Sequence, residues 1–249
     1  MKATIRLVVI TAFRDRFFSG LFLLLALSTA LSIFLAGTAL SEQLQMAIAF
    51  VAGAGRIVLV LGLTIFAAFH MQALFETREV EAILARAISR AQFVLAYWIG
   101  LSVLAIILAG AFAAVLWVIA GATFGTFLWA ITLLAECIVV VAVAVFAGLM
   151  LERATPTVMF TMGFYALARL MGFFVGIRET VENTAVNTVI TRGLDVVLLF
   201  IPRLDLMAQT QWIIYGPESA DVGFLALQVV LFLALVLLAA TFDLSRKQF

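Results

Sequence analysis

Charge is what this chain has least of. Asp, Glu, Lys and Arg make up 12% of its 249 residues, against 66% hydrophobic. A water-soluble domain of this length is about half apolar, because its surface must face solvent. The shortage therefore excludes an ordinary soluble fold and places the chain in a membrane. Acids and bases nearly cancel, to a net charge of +1, so no overall field draws nucleic acid or acidic partners. Cysteine occurs once, as Cys137, which excludes an intramolecular disulfide and any Cys-rich metal site. Inside an apolar run it reads as a small buried hydrophobe. Histidine also occurs once, as His70; with no His, Cys or Asp cluster beside it, it makes no conventional metal site and reads as an interfacial hydrogen-bonding side chain. The methionines, of which Met159 and Met162 are the only close pair, read as packing residues and not as copper ligands. No GxxxxGK[ST] phosphate loop occurs, and Gly53-Ala54-Gly55 lacks the third glycine and the preceding strand of a dinucleotide loop. The chain is thus not itself a nucleotide motor, and no enzymatic activity, metal or cofactor is expected in it.

Long apolar runs are what it has instead. A helix crossing the hydrocarbon core needs about 20 mostly apolar residues. The runs 17–40, 57–75 and 222–242 each qualify. The first is too long for the apolar core of a signal peptide, roughly 7–15 residues, and reads as a retained span. The uncharged stretch 91–135 would rise about 68 Å as one helix, more than twice the bilayer core, so it folds back. Gly121-Ala122-Thr123-Phe124-Gly125 is the turn, giving spans near 92–120 and 126–150; its GxxxG spacing is better explained by the turn than by helix packing. Glu152-Arg153-Ala154-Thr155-Pro156 separates the fourth span from a fifth near 156–176, with Pro156 suited to a first helical turn. The expectation is an all-α polytopic membrane protein: one domain, 1–249, with six transmembrane helices.

Flanking positive charge orients it. With the N-terminus in the cytoplasm, Lys2, Arg6, Arg14, Arg16, Arg78, Arg86, Arg90, Arg153, Arg246 and Lys247 fall inside. Only Arg56, Arg178, Arg192 and Arg203 fall outside. Both termini are then cytoplasmic. Residues 1–16 carry Ile5, Val8, Val9, Ala12 and Phe13 at helical spacing beside Lys2, Arg6 and Arg14, which reads either as an interfacial helix or as an ordinary positive flank.

Against this scarcity, charge gathers at Glu76, Arg78, Glu79, Glu81, Arg86 and Arg90, between the second and third spans. Val80, Ile83, Leu84, Ala87 and Ile88 recur at i, i+3, i+4, i+7 and i+8, one apolar stripe of a helix. Acids open the segment and bases close it, which complements the helix dipole. The spacing predicts a short amphipathic helix over 76–90. It could lie passively in the headgroups or insert its ridge into a partner's groove.

The residues R-E-V-E-A-I-L-A-R-A-I-S-R, then Ala91-Gln92-Phe93 and Tyr97-Trp98-Ile99-Gly100, resemble the coupling-helix region of type-2 ABC exporter permeases. In that family an acid, a Leu-rich stretch, a Pro-(Ile/Val)-Ser-Arg ending and a glycine early in the next span recur. Glu81 matches the acid, Ile83 and Leu84 the apolar pair, Ile88-Ser89-Arg90 the ending and Gly100 the glycine; Ala87 stands where the family has proline. A second likeness is Ile201-Pro202-Arg203-Leu204-Asp205-Leu206, similar to a Pro-x-Leu-Asp segment before the last span. Six spans with both ends inside extend the resemblance over the whole chain, and the layout is similar to that of the multicopper-enzyme-maturation subgroup. The resemblance implies a permease subunit in a bacterial inner membrane, working as a homodimer on a separate cytoplasmic ATPase that carries ATP and Mg. It implies contact with that ATPase through Glu79, Glu81, Ile83, Leu84, Arg86, Ile88, Ser89 and Arg90, and an outer gate at Pro202, Arg203 and Asp205.

Glu136 and Arg169 are charges within spans. Counted from the outer helix ends they lie at similar depths, roughly 15 and 12 Å. An unpaired charge there is costly, about 2.5–3.5 kcal/mol on insertion scales, so they form either a structural ion pair or part of a substrate path. Residues 177–221 form the largest segment outside the membrane. Gly172 and Gly176 before it form another GxxxG, a close-packing patch. The run 196–201 is too short to span, and with Trp212 and Tyr215 it predicts short outer helices over the bundle. A secondary transporter would show an internal repeat and broken helices. An intramembrane enzyme would need a nucleophile–base pair or clustered ligands. Both remain as alternatives to the permease.

Overall fold

A computed structural model describes residues 2–39, 42–77, 79–80, 89–180, 201–217 and 221–247. Among these residues every regular element is helical. In chain order they are α1 (Lys2–Arg14), α2 (Arg16–Ala36), α3 (Gln43–Glu76), α4 (Arg90–Ala120), α5 (Phe124–Leu151), α6 (Ala154–Arg169), α7 (Met171–Thr180), a single 3-10 turn (Leu204–Leu206), α8 (Gln211–Tyr215) and α9 (Val222–Arg246). Among the described residues six segments are long and apolar enough to cross a membrane: α2, α3, α4, α5, the joined α6 and start of α7 (Ala154–Gly176), and α9. The chain is a multi-pass, all-helical membrane protein.

The helix starts are written locally. Asp15 accepts the Phe17 amide at 2.9 Å and opens α2. Ser89 and Gln92 form a reciprocal capping box that opens α4. Thr123 and Asp221 cap α5 and α9 through the amides of Thr126 and Phe224. Each cap supplies an acceptor to an amide that has no partner within its own helix. At the turn between α4 and α5, Gly121 takes φ 84°, a conformation glycine adopts without side-chain strain.

Antiparallel packing gives the bundle two ends. Asp15, Glu76, Ser89, Glu152 and Lys247 lie at one, called here the near end; Gly37, Gln43, Gly121 and Asp221 lie at the other, the far end. α5 is the central helix, with 72% of its apolar stretch buried, against 22% for α2 and 11% for α9. The exposed faces of α2 and α9 carry Leu23, Leu27, Phe34, Leu231 and Leu238, side chains suited to lipid and not to water. α1 lies against α4: Val8 and Ala12 are buried, and a methyl group on Gly100 would come within 2.9 Å of Val8.

Several boundaries differ from those expected; α2 closes at Ala36 and not at Leu40, and α9 runs on to Arg246. The second span does not begin at Ile57; α3 runs unbroken from Gln43 for 34 residues, about 51 Å, so Arg56 sits within a helix and not in a flank before one. Glu76 closes α3 and Arg90 opens α4, so neither belongs to a separate helix between them; the Ser89 cap fixes the later start. The fifth span divides after Arg169, where the Leu170 amide is shared between the carbonyls of Ala166 and Leu167.

Candidate functional site

Towards the far end, α3, α5 and α6 converge on a polar cluster. Glu136, on central α5, is wholly buried. Tyr165 and Arg169 are four residues apart on α6 and so share a face. Tyr165 donates its hydroxyl to Glu136 Oε1 at 2.7 Å, and Arg169 Nη1 lies 3.6 Å from Glu136 Oε2. The two charges expected at matching depth are therefore brought together, with Tyr165 as a third member that no local pattern in the sequence marks.

The cluster also holds the segment before the last span. Arg169 Nη1 donates to the carbonyls of Leu204 and Met207, at 2.5 and 2.9 Å. Arg56 Nη1, from α3, donates to the carbonyl of Ala208 at 2.9 Å. Thr132, one turn before Glu136 on α5, accepts the Ala208 amide at 3.0 Å. Leu204, Met207 and Ala208 are buried, and Ala208 takes a left-handed φ of 46°. Irregular backbone away from water must find partners inside the protein. Two guanidiniums and one hydroxyl supply them here. Arg56 also lies within electrostatic reach of Glu136 and Arg169, so two cations flank one carboxylate.

The expected outer-gate residues lie beside this cluster. Pro202 is buried. Arg203 pairs with Asp205 at 2.9 Å, and the Arg203 amide donates to Gln228 of α9 at 3.2 Å. Asp205 faces Gly172 so closely that a methyl group there would sit 2.7 Å from its Oδ2. The glycine of that GxxxG thus accommodates a side chain of its own chain. At Gly125 a methyl group would fall 1.8 Å from the Trp212 carbonyl oxygen, so α8 seats directly on the first turn of α5.

The near end is tied together separately. Gln72 of α3 accepts the Ala154 amide at 2.7 Å, and its amide nitrogen donates to Glu76 at 2.5 Å. Lys247 pairs with Glu152 and donates to the Leu149 carbonyl at 2.6 Å. Arg90 Nη1 donates to the carbonyls of Leu244 and Ser245, at 2.6 and 2.5 Å. Of the expected ATPase-contacting residues, Glu79 is exposed in a helical turn beside buried Val80. Ser89 caps α4, and Arg90 binds the end of α9. Glu81, Ile83, Leu84, Arg86 and Ile88 lie outside the described residues.

Neither protein-family models nor curated proteins match the chain.

Proposed function

We propose that the chain is the membrane-spanning permease subunit of an ATP-driven transporter, an exporter by its resemblance. It would sit in a bacterial cytoplasmic membrane with both termini inside. The near end then faces the cytoplasm, and segment 76–90 meets a separate ATPase that carries ATP and Mg. A second copy of the permease completes the assembly.

One observation carries this reading. The amphipathic, charge-polarised stretch from Glu79 to Ser89 stands between two spans of a six-span, otherwise charge-poor chain. The near-end contacts support it mechanically. α3 ends at Glu76, where Gln72 grips the start of α6; α4 begins at Arg90, which grips the end of α9. A displacement of the connecting segment would therefore pull on four spans. At the far end, the Arg203–Asp205 pair and the carbonyls held by Arg56 and Arg169 would respond, which makes 202–208 the outer gate.

Replacing Leu84 or Ile88 with Glu tests the docking role. Transport and copurification of the ATPase should both fall, while the chain still inserts. Unchanged copurification and transport reject it. A second reading, an ion-coupled secondary transporter, has one specific observation in its favour: buried Glu136 keeps Oε2 without a hydrogen-bond partner among the described residues. That reading requires substrate movement without ATP.

A further inference from the structure

A cavity of about 440 Å³ opens at the near end, between the α1–α2 turn and the last turns of α3. The charged cluster takes no part in it. Its volume is within the range of small-molecule sites, roughly 300–1,000 Å³. Phe17, Phe66, Phe69 and His70 wall it, and Asp15 stands among its lining residues. Phe17 stacks on Phe66 at 6.1 Å, and Phe66 on His70 at 6.0 Å, so the wall is an aromatic run braced by its own stacking. His70, expected to hydrogen-bond, is held by these ring contacts; its Nε2 is buried without a partner among the described residues.

The Asp15 carboxylate accepts one hydrogen bond, from the Phe17 amide. Among the described residues no ion pair neutralises it, and it is close enough to His70 to act on it electrostatically. A carboxylate with no ion pair, beside an aromatic wall, attracts an organic ammonium by a charge-assisted hydrogen bond while the rings pack its alkyl stem. A metal ion finds no oxygen shell among phenyl rings; Arg14 and Arg16 on either side of Asp15 are exposed and, among the described residues, form no ion pair with it. Asp15 is exposed at the first residue before a spanning helix, the level at which a bilayer presents its headgroups.

We propose that this cavity binds the primary ammonium of a phospholipid headgroup, with the amine on Asp15 and its alkyl stem along Phe66 and Phe69. The full-length chain, reconstituted in nanodiscs of equal phosphatidylethanolamine and phosphatidylglycerol, tests this by native mass spectrometry of the lipids it retains. The expected result is about ten-fold enrichment of phosphatidylethanolamine, the factor that a charge-assisted contact supplies. Asp15→Asn keeps an equally good helix cap but removes the charge, and should abolish the enrichment without lowering the unfolding temperature. Phe69→Leu alters an exposed ring outside the core, and should reduce it. Soluble ethanolamine at matched concentration should leave the lipid in place. Equal retention of the two lipids, enrichment that survives Asp15→Asn, or displacement by soluble ethanolamine would overturn the proposal.

Discussion

Arg169 and Glu136 meet inside the bundle with Nη1 and Oε2 3.6 Å apart, and the same nitrogen also donates to the carbonyls of Leu204 and Met207. The guanidinium thus serves a carboxylate on α5 and the irregular backbone before α9 at once. A simple ion pair could be reversed. This one cannot, because a carboxylate at 169 would face two carbonyl oxygens with no proton to give.

The first prediction follows from that asymmetry. Arg169→Met should cost about 3–5 kcal/mol, the usual effect of stranding a buried charge. The double exchange Glu136→Arg with Arg169→Glu should fail to restore stability. Thermal unfolding in detergent checks both.

Tyr165→Phe removes only the hydroxyl that Glu136 Oε1 accepts at 2.7 Å. The expected loss is about 1.5–3 kcal/mol, typical of a hydrogen bond to a charged group. Combined with Arg169→Met, the two losses should be non-additive, since both act on one carboxylate.

Gly125→Ala should be poorly tolerated. Its methyl group would collide with the Trp212 carbonyl, and moving backbone typically costs about 1–3 kcal/mol. Gly110→Ala is the control: nothing lies within 4 Å of a methyl group there, and alanine favours a helix interior by about 1 kcal/mol. The pair should shift unfolding temperature in opposite directions.

Arg90→Ala should loosen the tail of α9. Leu244 and Ser245 would lose the donor that satisfies their terminal carbonyls. Hydrogen exchange at 244–247 should quicken with little change at α5. Ser89→Ala should instead cost about 1 kcal/mol at the start of α4, through its lost cap.

The sequence made the spans legible because a lipid environment leaves a strong local signal. The Gly121 turn, the Pro156 restart and the matched depths of Glu136 and Arg169 were readable for the same reason. Arg56 was not. A charge at the start of an apolar run resembles a flank, and its partner, the Ala208 carbonyl, lies 152 positions away. Thr132 gave no signal either, since its role depends on where the loop from Leu204 to Ala208 settles. Glu76 and Arg90 continue the charge pattern of the segment between the spans, yet backbone bonding places them at the end of α3 and, through the Ser89–Gln92 capping box, at the start of α4.

The most direct test of the account is photocrosslinking from position 84 of the full-length chain in native membranes. A benzophenone side chain replacing Leu84 should form an adduct with a cytoplasmic nucleotide-binding subunit, and Ile88→Glu should suppress it. Adducts with lipid alone, or labelling of that position by an impermeant reagent applied from outside the cell, would contradict the account.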